Sequence, residues 1–425
     1  MRIAFTTFGC KINQIETDQM RRAVASDKVQ FVPFDDHADV YVINTCSVTS
    51  RSDYQCRQAI RSAVRRGNGA KVVVTGCYAQ TNPGDIRSIP GVDLILDNSK
   101  KDDLSAHIEA LISSNDALSA PIDLQSAGQF LVGRTRGFIK IQDGCDNRCS
   151  YCIVPLARGA SRSIPYDRVI EEFAVHVDAD CPEVVLSGIH IGKYGQDLTP
   201  RRSLTGLLET LLARRRNTRI RLSSIEPREI TGEIIDMLGN GLCRHLHIPL
   251  QSGDDSILIR MNRDYSSAFY SDLLEDISRR VPGVALGADV MVGFPGEGDE
   301  EFNNTIELIK QSPLTHLHVF GFSPRPGTPA AEMSGQVTER VKKERSEVLR
   351  NLGNAKNHDF RRRFFQETLH AVIVGTRCTS TGCYSGVTDN YIKVAVLDAP
   401  EQAIGQTFQV KINNVAENIT FAVLT

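Results

Sequence analysis

Three thiols stand in one short stretch, Cys145-Asp146-Asn147-Arg148-Cys149-Ser150-Tyr151-Cys152, with the spacing Cys-x3-Cys-x2-Cys. Three thiolates so placed can hold three irons of a four-iron cluster and leave the fourth open, where it can chelate the amino and carboxylate groups of an amino acid. A structural zinc site or ordinary buried cysteines are the plainer alternatives. Zinc usually takes a fourth protein ligand, and no Cys or His is close in sequence to complete the set.

A second triad is spread over the first eighty residues. Cys10, Cys46 and Cys77 each follow an apolar run: Ile3 to Phe8, Val40 to Ile43 and Val72 to Val74. If those runs are parallel strands, their C-terminal ends lie along one sheet edge, where α/β proteins build their sites, and the three thiols come together. No fourth cysteine accompanies them in the sequence. The plainer alternative is that cysteine serves here as a small buried hydrophobe, the reading preferred for Cys56, Cys181, Cys243, Cys378 and Cys383. Cys378 and Cys383 could bind a metal, but Cys-x4-Cys without further ligands is a poor site.

Elements that would position these thiols are visible as alternating strand-like and helix-like runs. The N-terminal runs, separated by stretches such as Glu16 to Ala25, have the rhythm of βαβ units, and a Ser-, Ala- and Asp-rich linker is expected over Ser113 to Gln129. Six further strand–helix repeats follow, with strands expected at Phe138–Gln142, Val184–Leu186, Ile220–Ser223, His245–Ile248, Ala288–Val292 and His316–Phe320. Six repeats suggest a partial parallel barrel, since closure needs eight. Short strands at His370–Val374, Tyr391–Val396, Phe408–Ile412 and Ile419–Val423 suggest a small all-β barrel or sandwich. The expected fold is therefore α/β throughout the first two of three domains, at 1–125, 131–360 and 361–425. The Cys145 loop follows the first barrel strand, at the end where barrel active sites form.

Composition excludes little but sets limits. At 41% hydrophobic and 24% charged residues the chain reads as globular, and a net charge of −2 advertises no polyanionic partner. No apolar run approaches the roughly 20 residues of a membrane span, and Met1-Arg2 leads directly into a strand-like run, so a cytoplasmic protein is expected. Eleven cysteines in such a chain argue for metal binding or catalysis rather than a disulfide framework. Basic runs that could meet RNA are Arg61-Arg65-Arg66, Arg214-Arg215-Arg216, Lys342-Lys343 and Arg361-Arg362-Arg363, although such runs are commonly solvated helix faces. Tyr384 and Tyr391 could stack on RNA or simply pack in the β module.

The motif at 145–152, with Tyr151 as the aromatic before its last cysteine, resembles that of the radical S-adenosylmethionine superfamily. Together with the second triad the chain resembles the methylthiotransferases, through Phe8-Gly9-Cys10-Lys11-Ile12-Asn13-Gln14, Asn44-Thr45-Cys46-Ser47-Val48-Thr49, Arg158-Gly159 and Ser323-Pro324-Arg325-Pro326-Gly327-Thr328-Pro329-Ala330. Asp389-Asn390-Tyr391 sits in a module that looks like a TRAM domain. Cys-Lys-x-Asn-Gln-x-Glu from Cys10 to Glu16 is similar to the branch acting on threonylcarbamoyladenosine in tRNA. Two places depart from the family: Gly298-Asp299 stands after Gly293-Phe294-Pro295-Gly296-Glu297 where Thr is common, and Leu156 replaces a common aromatic.

The resemblance implies two four-iron clusters, on Cys145, Cys149 and Cys152 and on Cys10, Cys46 and Cys77, with S-adenosylmethionine as co-substrate. It implies cofactor contacts at Tyr151, Ser187, Gly188, Ser223, Glu226 and Gln251, most of them near ends of expected strands, where a polar residue can equally be a turn or cap. The chemistry implied is radical insertion of a methylthio group at carbon 2 of the modified adenosine, a C–H bond that acid–base catalysis cannot open. The expected partners are the tRNA anticodon arm, an electron donor and a sulfur source, with neither membrane nor DNA among them. Alternatives are the same chemistry on an aspartate of a ribosomal protein, a non-catalytic RNA-bound iron-sulfur redox protein, and a zinc-binding RNA module.

Overall fold

A computed structural model of the chain describes residues 1–67, 69–113, 135–379 and 381–425. The expected linker, beyond Ser113, and the boundaries at 125 and 131 lie outside these residues. The described residues form two compact units. One holds residues up to 113 together with Gly144–Ala160 and Ser323–Ala331; the other holds residues 135–143, Ser161–Phe322 and Glu332–Thr425.

The first unit is built on a five-stranded parallel sheet in the order Gln30–Val32, Arg2–Thr7, Val40–Thr45, Lys71–Gly76, Leu94–Ile95. The central strands read as unbroken apolar runs because helices cover both faces. Tyr41, Ile43, Val72 and Val74 pack with Ile60 and Ala63 on one side, and Val40, Val42 and Val73 pack with Met20, Val24 and Leu104 on the other. The two strands absent from the sequence reading are at the edges, three and two residues long, too short to show a period. The first helix begins at Lys11, directly after Cys10, rather than at Glu16; Ile12, Ile15, Met20 and Val24 form its buried stripe.

Six parallel strands of the second unit, Gly137–Lys140, Glu183–Ser187, Arg219–Leu222, His245–His247, Ala285–Val292 and His316–Gly321, form two three-stranded sheets joined by a bridge from Ser224 to His247. Their alternate residues Ile139, Val184, Leu186, Ile220, Leu222, Leu246 and Leu286 pack against helices in one large core. The intervening positions carry polar side chains, including Glu183, Arg219, Arg221, His245, His247, Asp289, His316 and His318. Period-two alternation thus separates an oily outer layer from a polar inner wall.

The same unit contains a closed five-stranded barrel in the order Thr368–Arg377, Tyr384–Thr388, Lys393–Leu397, Thr420–Leu424, Thr407–Val415. The strand expected from Tyr391 starts at Lys393. Tyr391 lies in the preceding turn with φ of 64°, and the unexpected strand Tyr384–Thr388 carries Ser385 and Gly386, which mask its pattern. Arg219 and Arg221 donate to the carbonyls of His370, Val387, Thr388 and Asp389, and Arg244 forks onto the Asp389 carboxylate at 2.7 and 3.2 Å. Fully buried Glu183 balances Arg136, Arg219 and Arg221, whose charges hold its carboxyl far below the usual range against the opposing effect of burial.

Candidate active site

Cys10, Cys46 and Cys77 follow the three central strands of the N-terminal sheet, and the fold brings them together as the parallel arrangement demands. Two glycines make the approach possible. Gly9 has φ of +98°, and a Cβ there would lie 2.7 Å from the Cys46 Sγ; Gly76 has φ of +99°, and its Cβ would lie 2.3 Å from the Thr45 carbonyl oxygen. Cys10 is exposed and stands at the N-cap of the helix Lys11–Val24. Cys46 and Cys77 are buried. Burial pushes the Cys46 thiol up to about 11, and it raises that of Cys77 against the opposing pull of Arg158 and Lys101.

A fourth thiol, read in the sequence as a buried core cysteine, lies beside this triad. Cys56, on the helix Ser50–Arg66, accepts from the Cys46 N–H at 3.5 Å and donates to the Cys46 carbonyl at 3.6 Å. It is fully buried in the core, with its thiol pushed up to about 12 chiefly by burial, and it braces the Cys46 backbone.

The Cys145 loop is compact in its own right. Cys145 N–H donates to the Gly159 carbonyl at 3.1 Å, Cys152 N–H to Cys149 at 3.0 Å, and Asn147 N–H to the Cys145 Sγ at 3.4 Å. Cys145, Cys149 and Cys152 are half-buried, as is Tyr151. Arg158 at the end of this loop reaches the first triad's helix, with 2.7 and 3.2 Å contacts to Glu16 and 2.6 Å to the Asn13 Oδ1. Lys101 completes the buried group by pairing with Glu16. Asn13 also donates to the carbonyls of Phe8 and Thr45, so one side chain ties two cysteine-bearing turns. Ala330 N–H donates to the Ser150 carbonyl at 2.8 Å, and Arg325 pairs with Asp53 and reaches Ser47 and Ser50. All six cysteines therefore belong to one compact unit.

The donor chemistry of both triads suits soft metal clusters, and at the N-terminal one a Cβ on Gly9 would meet the Cys46 Sγ while the cations Arg158 and Lys101 near Cys77 can offset thiolate charge. In the second unit, Ser187 Oγ, Ser223 Oγ and Gln251 Oε1 are buried without a protein partner, as groups awaiting a polar ligand would be. Gly188 has room for no Cβ, with Ile191 at 2.7 Å and the Gln142 carbonyl at 3.1 Å. Glu226 pairs with Arg263. Sequence reading missed Gln142, whose Oε1 accepts from the N–H groups of Ile189 and His190 at 3.0 and 2.7 Å and fixes the turn after Gly188. It also missed His190 against Glu229 at 2.6 Å. Neither residue belongs to a recognisable spacing.

The polar surface is partly as expected. Arg61, Arg65, Arg66, Arg214, Arg216, Lys343, Arg362 and Arg363 are exposed, but Lys342 and Arg361 are buried, and Arg361 binds Asn357, Ala416, Glu417 and Thr420. Tyr384 is in the β-module core, and Tyr391 lies 4.2 Å from the His245 ring, so both take the packing role. Leu156 is exposed, and Gly298 caps the helix Asp299–Gln311 with Glu301 reaching back to its N–H at 2.8 Å.

Comparison with known proteins adds to this geometry. Residues 2–97 match an uncharacterized protein family, UPF0004, and residues 139–309 match the radical SAM superfamily. The chain is 39% identical to the threonylcarbamoyladenosine tRNA methylthiotransferase MtaB of Bacillus subtilis, over 96% of this chain and 93% of that one. It is 34% identical to the Thermotoga maritima protein of the same name, over 98% and 95%. A tRNA-2-methylthio-N(6)-dimethylallyladenosine synthase of Fusobacterium nucleatum is 28% identical, over 97% of each. Among solved structures, the radical S-adenosylmethionine methyltransferase TsrM from Kitasatospora setae shares the fold, with a TM-score of 0.58 at 13% identity over 78% of this chain and 75% of that one.

Proposed function

The chain belongs to the threonylcarbamoyladenosine tRNA methylthiotransferase family of radical S-adenosylmethionine enzymes, and we propose that Cys145, Cys149 and Cys152 hold its radical-generating cluster while Cys10, Cys46 and Cys77 hold a second, sulfur-delivering one. The enzyme modifies threonylcarbamoyladenosine in tRNA, using S-adenosylmethionine and four-iron clusters. When bound, these groups supply the one-electron chemistry that an unactivated aromatic C–H requires.

The protein's own contribution is placement and electrostatics. Each triad offers three thiolates, which leaves one iron of a four-iron cluster without a protein ligand and available to a small molecule. Ser187, Gly188, Ser223, Glu226, Gln251 and Tyr151 are the residues that would hold S-adenosylmethionine, to which the buried hydroxyls and the Gln251 amide oxygen would offer unpaired polar atoms. Arg158 and Lys101 offset negative charge at Cys77, and burial of Cys46 and Cys77 keeps water from the sulfur being transferred. Gln142 holds the Gly188 turn in position.

We assign the three sequence segments 1–125, 131–360 and 361–425 to sulfur delivery, radical generation and RNA handling. A separate electron donor and a sulfur source complete the reaction, in the cytoplasm, on the anticodon arm. Among the described residues no helix is long and apolar enough to cross a membrane.

The observation that carries the division of roles is the gathering of all six cysteines in one compact unit, three of them from separate strand ends. Reconstituted protein given reductant, S-adenosylmethionine and tRNA bearing threonylcarbamoyladenosine should yield the methylthio nucleoside and 5′-deoxyadenosine by mass spectrometry. Unchanged methylthiolated nucleoside in tRNA from a deletion strain would overturn the substrate assignment. Product from a variant lacking Cys10, Cys46 and Cys77 would overturn the division of roles.

A further inference from the structure

Four histidines and one aspartate, none of them in a cysteine motif, gather on the polar inner wall of the six-stranded arc. His245 and His247 lie on the strand His245–His247, Asp289 on Ala285–Val292, and His316 and His318 on His316–Gly321. Strand register explains the gathering: His247 pairs with Gly287, Gly287 with His316, and Asp289 with His318. Alternate positions on neighbouring strands share a face, so these imidazoles and the carboxylate meet across spacings of about 4.8 Å.

Three of the five residues bring possible ligand atoms close together. His247 Nε2 lies 3.1 Å and His318 Nδ1 3.4 Å from the same Asp289 Oδ1, and one possible ligand atom from each of the three residues lies within 4.8 Å of the others. An ion with bonds of about 2.1 Å holds neighbouring ligand atoms about 3.0–3.4 Å apart in octahedral or tetrahedral geometry. Both separations to Asp289 fall in that range. Gly287 clears the space, because a Cβ there would stand 2.8 Å from His247 Nδ1 and 2.1 Å from His316 Nε2.

We propose that His247, Asp289 and His318 form a binding site for a divalent cation of the zinc or ferrous type, distinct from both iron-sulfur clusters, with at least one coordination position left to water. Two imidazoles and one carboxylate are a donor set such cations accept, whereas magnesium and calcium favour all-oxygen sites. The ligands stand on three hydrogen-bonded strands, so the site is rigid before an ion arrives. Asp289 is further fixed because its carbonyl accepts the N–H groups of Leu250 and Gln251 at 3.1 and 2.8 Å. His318 is solvent-exposed and gives the ion a way in.

The test uses the full chain with both clusters reconstituted. Plasma mass spectrometry should find one equivalent of zinc per chain in addition to the cluster iron. Cobalt titration should give weak visible bands without the intense near-ultraviolet absorption that thiolate ligation produces. Asp289→Asn and the milder, exposed His318→Gln should each weaken zinc or cobalt affinity at least tenfold while iron content stays at the wild-type value. No extra equivalent in the wild-type protein, thiolate-type cobalt spectra, or wild-type affinity in His318→Gln would each overturn the proposal and leave these residues as a hydrogen-bonded cluster.

Discussion

The two cysteine triads reach similar compositions by opposite routes. Cys145, Cys149 and Cys152 are neighbours in sequence, half-buried, and held by a loop that hydrogen-bonds to itself. Cys10, Cys46 and Cys77 are neighbours only because parallel strands end along one edge, and two of them are buried. A loop triad depends on local geometry, whereas a strand-end triad depends on the whole sheet. The second should therefore be the more sensitive to distant packing, and the first to changes within its own few residues.

The sharpest break in that comparison comes from removing one thiol of each kind. Cys145→Ala should reduce both 5′-deoxyadenosine release and methylthiolation by about a thousandfold or more, whereas Cys77→Ala should abolish methylthiolation and leave 5′-deoxyadenosine release largely intact. Equal loss of both products in Cys77→Ala, at normal iron occupancy of the remaining cluster, would remove the distinction.

Arg158 belongs to the loop of one triad and bonds to the helix of the other, so its loss should affect both. Arg158→Leu removes a buried cation from the Glu16 carboxylate, and breaking such a buried pair should destabilise the protein by about 3–5 kcal/mol, read by denaturant unfolding. A change under 1 kcal/mol would mean the network contributes little. Cluster assembly on Cys10, Cys46 and Cys77 should fall with it.

Burial gives the strand-end triad a pH response. A thiol whose pKa is raised in the fold favours the protonated folded state, so Cys46 contributes stability below about pH 9 that disappears as pH rises towards about 11. Cluster-free protein should lose about 2 kcal/mol across that window, while cluster-loaded protein, whose thiols are already deprotonated on iron, should lose less. Parallel melting curves at several pH values check this; identical slopes would contradict it. The smallest effect is expected at Ser323→Ala, which removes exposed hydrogen bonds to Ser50 at 3.1 and 3.2 Å and should shift stability by no more than about 1 kcal/mol.

The loop triad was legible from eight consecutive residues, and the strand-end triad from the βαβ rhythm that implies a common edge. The partial barrel was legible for the same reason, as was the final β module apart from the strand carrying Ser385 and Gly386. What escaped was whatever depends on meetings between distant residues that belong to no motif. Glu16 and Arg158 carry no mark of being partners, and Cys56 looks like any core cysteine until the helix Ser50–Arg66 turns it against Cys46. Charge counting likewise mistook Arg361 and Lys342 for surface residues, because a buried arginine bonded to carbonyls reads the same in sequence as a solvated one.

Arg219 and Arg221 bind the β module through backbone carbonyls at His370, Val387, Thr388 and Asp389. A guanidinium that reads carbonyls constrains the path of the opposing chain and is nearly indifferent to its side chains. Side chains of that segment can therefore change without touching these four bonds, except at Asp389, whose carboxylate Arg244 holds, whereas an insertion or deletion there would leave Arg219 and Arg221 to Glu183 without their carbonyls. The module can drift in sequence, but it cannot be exchanged or removed as a detachable part.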